Sequence, residues 1–496
     1  MSRRLLAPVA VAVLVAGATT AATLSWPVLP RGPAPARPPT TAAVVERTLA
    51  CPNVSGAPAR VSARASVATL PGLGGPGRAA MTGLGGSFPV PLPALATAGS
   101  GKTTDVRVIG GITRVDAGGS LAAGVGAELV TRSYFGPARG LAETRCAAAA
   151  ADTWFVGGST AVGATAALLL VNTGEVMATA NLSLLTATGR VAPRIAQGIE
   201  VAPRSSVTVA LESLAPNLPA LATHVVVVSG RLAAILVDSR HRAKVALGVD
   251  YVPPTAGPAR SAVVPGLLAG PGPRLVSLAV PGPDDATVEL RVITADGSFV
   301  PASLNAVTVP AGTVAQVDLA GVLGGRPAGV VLSSDVPVIA GGFSSSTDPR
   351  GQNSDFAWSA ATSPLAGPAL LPDNRVPALP LARSVLLLTA PDTAATVALT
   401  ALTGRSSGVP ARAPVQVSVR VPAGRTVAVP LQSLAPAAAD FSLVVAPMPG
   451  SGPVYGSRQL YEQWSGGLWL SQLTLEQATA TVRVPVVVED PAAGVP

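Results

Sequence analysis

Few residues in this chain could carry a reaction. The run from Ala96 to Thr103 ends in Gly101-Lys102-Thr103, the ending of loops whose glycines let backbone N–H groups wrap a nucleotide phosphate. Ala96 stands where the first glycine belongs, and Pro89, Pro91 and Pro93 interrupt the buried strand that should deliver such a loop. An ordinary Gly/Ser/Thr loop is expected instead. Acyl transfer needs a nucleophile beside a base, yet His224 and His241, the two histidines, have no carboxylate partner in their local sequence. Both read as strand-end or surface residues. Asp284-Asp285 and Glu489-Asp490 are adjacent acids of the kind glycoside hydrolysis uses, but acids side by side on a turn are ordinarily just solvated. Zinc would need four ligands at local Cys or His spacing, which is absent. No catalytic residue, cofactor or metal site is assigned.

The two cysteines, Cys51 and Cys146, stand in one segment near the start of the chain. If the protein is exported, they are expected to form one disulfide; closing a loop of that length stabilises by roughly 4 to 5 kcal/mol on the chain-entropy argument. Export is the expectation. Arg3 and Arg4 precede the uncharged stretch Leu5 to Leu24, the basic and apolar regions of a secretory signal. That stretch would cover roughly 30 Å as a helix, enough to stay uncleaved as a plasma-membrane anchor with the arginines inside. Residues 1–26 are therefore a signal peptide or an anchor, and the Pro-rich residues 27–42 are an extended spacer behind it. The protein is placed outside the cytoplasm, secreted or anchored.

Composition narrows the class. Charged residues make up 12% of the 496 and hydrophobic residues 48%, while 52 Gly and 49 Pro are spread along the whole length. This suits many short strands joined by turns and argues against long helices. The formal charge of +8 is nearly all arginine, since Lys102 and Lys244 are the only lysines. These cations are scattered singly and lack the clustering that phosphate binding needs, so no nucleic-acid partner is expected.

The elements that must position everything else come from an internal repeat of about 108 residues. Ala178-Thr179-Ala180-Asn181-Leu182 recurs as Ala286-Thr287-Val288-Glu289-Leu290 and as Ala395-Thr396-Val397-Ala398-Leu399. Val201 to Pro216 matches Val421 to Pro436 without a gap, both ending in Ser-Leu-Ala-Pro. Within each copy apolar residues alternate, as in Val415, Val417, Val419 and Val421, which puts one face of a strand inward and one to water. About six or seven such runs per copy fit a sandwich of two antiparallel sheets. The expected fold is all-β: tandem immunoglobulin-like β-sandwich units, with a propeller-like array as the alternative. The expected units are a diverged first β unit at 43–153 holding the disulfide, repeats at 154–262, 263–371 and 372–482, and a tail at 483–496. Tyr251, Trp358 and Trp464 fall late in the three repeats. They either stack on a bound sugar or lock the junction between one unit and the next.

Trp154-Phe155-Val156-Gly157-Gly158-Ser159-Thr160, the later Leu168-Leu169-Leu170-Val171-Asn172, Cys51-Pro52, and Asp250-Tyr251 leading to Val264-Pro265-Gly266-Leu267 together resemble an uncharacterised actinobacterial family of secreted or membrane-anchored proteins with tandem β-sandwich repeats. The resemblance covers residues 45 to 482 and implies compartment and architecture, with no activity to transfer. The functional expectation is a non-enzymatic envelope protein acting as a structural or interaction module. Its partner would be an envelope protein or glycan, with the membrane as a further contact if the N-terminal helix is kept. The alternative is a carbohydrate-binding accessory in cell-wall or capsule assembly.

Overall fold

A computed structural model describes residues 40–52, 61–73, 75–86, 90–92, 103–107, 111–347, 354–375, 382–403, 414–434, 440–464 and 467–484. The expected signal or anchor at 1–26, the spacer up to residue 39, Gly101-Lys102 and the tail from residue 485 lie outside them. Among the described residues no helix is long and apolar enough to cross a membrane.

The alternating runs become strands. Along Ala286–Ile293, Val288, Leu290 and Val292 turn inward with no exposure while Thr287 and Glu289 face out. The strands form four sandwiches, all of their pairings antiparallel. In the first, Glu46–Cys51, Thr113–Gly119 and Gly77–Gly83 lie side by side, and the second sheet runs Thr103–Arg107, Val61–Thr69, Val125–Ser133, Gly140–Arg145. In the second, Asp152–Val156, Ala222–Ser229 and Ala178–Thr186 face Ser205–Ala210, Ala164–Asn172, Ala233–Arg242, Val245–Val252. The third places Ala259–Leu267 and Ala286–Ile293 on either side of the long strand Ala328–Thr347, whose later half crosses into the other sheet between Arg274–Ala279 and Ser354–Ala360. The fourth sets Ala369–Arg375, Asp440–Pro447, Ala395–Thr403, Val415–Val421 against Arg425–Pro430, Ala382–Ala390, Tyr455–Trp464, Gly467–Thr474.

One connectivity therefore recurs four times. Apart from added neighbours such as Val415–Val421, which pairs with its predecessor Ala395–Thr403, the main strands alternate between the sheets until a final hairpin, so these sandwiches share the two-sheet architecture of immunoglobulin-like domains while following a strand order of their own. Among the described residues there is no propeller and no barrel closure. The expected boundaries at 262 and 371 fall inside the strands Ala259–Leu267 and Ala369–Arg375, because the recurring apolar runs mark strands and not the links between units.

Each sandwich has its own core, such as Leu168, Leu170, Leu182 and Leu184 in the second and Val276, Leu278, Val288 and Leu290 in the third. Burying one such side chain is worth about 1.5 to 3 kcal/mol. The Cys51–Cys146 disulfide lies in the core of the first sandwich, beside Leu49, Val115 and Leu129.

Apolar seams join the sandwiches in a closed circuit. Leu169, Ile235 and Tyr251 meet Ala50 and Ala142 between the first and second; Trp154 and Val156 meet Ala279 and Ile339 between the second and third. Leu268 and Ala357 meet Tyr461 and Leu470 between the third and fourth, and Val130 and Leu141 meet Leu460 and Trp469 between the fourth and first. Residues Ala43–Thr481 thus form one compact unit. Its two ends are joined where Val44 N donates to Ala480 O at 3.1 Å. The described flanking residues 40–42 and 482–484 belong to a separate unit.

Candidate functional site

The last strand of every sandwich is an edge: Gly140–Arg145, Val245–Val252, Ser354–Ala360 and Gly467–Thr474. Each packs against at least two of the others, so the four edges meet at a common centre. An edge strand presents unpaired backbone N–H groups, and burial makes each of them costly unless it finds an acceptor. Acids supply the acceptors. Asp250 of the second sandwich accepts from Trp358 N at 3.0 Å, from Ser471 Oγ at 2.7 Å and from Glu143 N at 3.4 Å, reaching all three other sandwiches. Asp355 of the third accepts from Leu141 N at 3.0 Å and Leu470 N at 3.1 Å. Gly248, at φ 128°, makes room for this carboxylate, since a Cβ there would come within 2.5 Å of Asp355 Oδ1.

A second ionic cluster ties the first sandwich to the fourth. Arg458 is buried and donates to Glu128, to Glu143 Oε2 at 2.5 Å and to the carbonyl of Asp373. Beside it Arg132 grips Glu462 through a fork, Nε lying 2.8 and 3.0 Å from the two carboxylate oxygens. Burial dominates the titration of these acids. It raises Glu143 to about 8, with Arg458 opposing. It also lifts Glu128, Asp238, Asp250 and Asp355 above the ordinary carboxylate range, opposed by Arg458, by Arg240 and by hydrogen bonds at the two central aspartates. One guanidinium is shared by these two buried glutamates, so their titrations are linked and burial holds a proton on the pair more tightly than on a free carboxylate.

The aromatic residues separate into two sets. Tyr251 and Trp358 are 2% and 1% exposed and cannot meet a sugar. Trp358, with Phe343 and Phe356, is carried by the third sandwich but packs into the core of the second. Its Nε1 donates to Asp238 at 3.0 Å, and the Arg240 guanidinium, held by the same carboxylate, lies 4.5 Å from the Phe343 ring. Gly157 allows the approach, because a Cβ would stand 2.7 Å from the Trp358 ring. Trp464 differs, being 38% exposed.

His224 does have a carboxylate: Nε2 lies 2.9 Å from Asp152 Oδ2, across paired strands, with the ring stacked on Trp154 at 3.7 Å. Among the described residues no hydroxyl or thiol is hydrogen-bonded to that ring. Asp284-Asp285 is an exposed turn whose second acid accepts from Ala311 N at 2.8 Å. Glu489-Asp490 lies outside the described residues, as does a Gly404-Arg405-Ser406-Ser407-Gly408 run that has the spacing of a nucleophile elbow. Among the described residues no three His, Cys, Asp or Glu side chains are gathered as a metal site would need.

The central acids were the residues that sequence reasoning missed. Their signal was an acid inside an otherwise apolar late strand, present twice as Val249-Asp250-Tyr251-Val252 and Ser354-Asp355-Phe356.

A model of a family of unknown function, DUF5719, matches residues 97–432, more than half of the chain. No curated protein matches the sequence. Among solved structures, that of Thermotoga maritima 1070 is similar at 17% identity with a TM-score of 0.19, over 23% of this chain and 97% of that one. A Bacteroides uniformis beta-glucuronidase is similar at 12% identity with a TM-score of 0.11, over 45% of this chain and 26% of that one. At these scores neither likeness bears on function.

Proposed function

The chain belongs to the DUF5719 family of unknown function, and from that premise we propose that it is a non-enzymatic, exported scaffold or interaction module of an actinobacterial cell envelope, built from tandem sandwiches. The observation that carries this reading is the use made of the buried acids. Groups with raised proton affinity serve an enzyme when they face a substrate; here Asp250 and Asp355 face backbone N–H groups and Glu128 faces Arg458, and Glu143, on the wall of a cavity of about 360 Å³, is held by the same arginine. Chemistry-bearing side chains are thereby committed to holding four sandwiches in one unit, as a scaffold requires. The disulfide supports an oxidising compartment, and the basic-apolar N-terminal run supports export.

Cell fractionation with thiol labelling under denaturing conditions tests the placement. Protein recovered from intact cells should be accessible to added protease and resist labelling until reduced. A chain that is protected from protease until lysis and carries two free thiols would overturn the proposal.

A further inference from the structure

Trp464 stands at the end of the strand Tyr455–Trp464 in a fixed setting. Its ring meets Tyr134 edge-on at 4.9 Å and Trp469 at 5.3 Å, and its Nε1 donates to Glu462 at 3.2 Å. Glu462 is itself clamped by Arg132. The indole is therefore held from three sides while keeping 38% of its surface exposed. Tyr134 also lines a surface depression of about 690 Å³, together with Phe135, Arg139, His241 and Lys244 among others, with no acid in its wall. Phe135 is 56% exposed, and Arg242, next to the depression, is exposed as well. Arg139, from a hairpin of the first sandwich, thus joins His241, Arg242 and Lys244 of one hairpin of the second beside a fixed aromatic surface.

We infer that this face binds an acidic polysaccharide, a reading that deepens the scaffold proposal and rests on it for the compartment. A sugar ring offers an apolar C–H face that packs on an indole. An indole already fixed by its neighbours loses little conformational freedom on binding. The carboxylates of a uronate chain match Arg139 and Lys244, which a neutral glycan would leave unused. A concave wall suits a chain lying in it better than a flat bilayer surface.

The test is titration calorimetry on the purified full chain with hyaluronan and polygalacturonate. Dextran, phosphatidylglycerol vesicles and oligothymidylate serve as competing classes. The acidic polysaccharides should bind, more weakly as salt is raised, and Trp464→Ala and Lys244→Glu should each weaken binding by roughly tenfold. Lys244 is exposed on a turn, so its substitution keeps the test decisive even where removal of Trp464 disturbs packing. Unchanged affinity in Lys244→Glu, dextran bound as tightly, preference for vesicles or oligothymidylate, or no binding at all would each overturn the inference. Because purified protein is used, such a failure leaves the cellular placement standing, and a cytosolic chain that still bound hyaluronan would remove the placement alone.

Discussion

The carboxylate of Asp250 accepts a hydrogen bond from the backbone N–H of Trp358, 108 residues further along, at 3.0 Å. The bond crosses from one sandwich to the next and closes an edge that would otherwise stay open.

Asp250→Ala should therefore be costly. It strands the N–H group of Trp358 and the Ser471 hydroxyl proton in the interior, while Glu143 N keeps Ser471 Oγ at 3.0 Å, and unsatisfied buried groups cost about 1 to 3 kcal/mol each. A loss of roughly 2 to 4 kcal/mol is expected in urea unfolding; a change below about 0.5 kcal/mol, the scale of an ordinary surface substitution, would show that the acceptor is dispensable.

Arg458→Met should cost about 3 to 5 kcal/mol, since it leaves Glu128 and Glu143 buried without their cation. The informative variant is the triple one. Adding Glu128→Leu and Glu143→Leu should restore most of the lost stability, because the desolvation penalty goes with the charges. If the triple variant is as unstable as the single, packing and not electrostatics governs the site.

Stability should fall as pH rises. The central carboxyls titrate near 4 when unfolded, and burial raises them in the folded chain, Glu143 to about 8. A raised carboxyl contributes stability that is complete below its unfolded pKa and lost as pH climbs through its folded one. The thermal midpoint should accordingly decline between about pH 4 and pH 8, and Glu143→Gln should flatten the upper part of that decline. Calorimetry over this range would contradict the account if the midpoint rose instead.

Residues 152–258 should not fold alone. Their core is completed by Phe343, Phe356 and Trp358 from the following sandwich, and Trp358→Ala in the full chain should cost about 3 to 5 kcal/mol. Circular dichroism of the fragment showing a cooperative thermal transition would mean that the second core is self-sufficient.

The strands were legible because alternation is local. Val288, Leu290 and Val292 declare an inward face within a few residues, and the observed burial follows them. The recurrence of Ala-Thr-Ala-Asn-Leu placed one such strand in each of three units. The centre was not legible, because its bonds join residues as distant as Glu128 and Arg458, 330 positions apart. Asp250 and Asp355 looked like incidental neighbours of aromatic residues; nothing nearby in sequence says that backbone donors of other strands will surround them. Trp358 and Trp464 looked equivalent for the same reason. One fills a neighbour's core and the other reaches the surface, a difference set by which sandwich lies opposite.

The bond between Val44 and Ala480 has a mechanical meaning. It ties the two ends of Ala43–Thr481 to each other, so a pull applied between Val44 and Ala480 is met at that junction before it can be felt by the acids at the centre. Under such a load the junction would let go first, as a clasp does, and the four sandwiches would stay assembled.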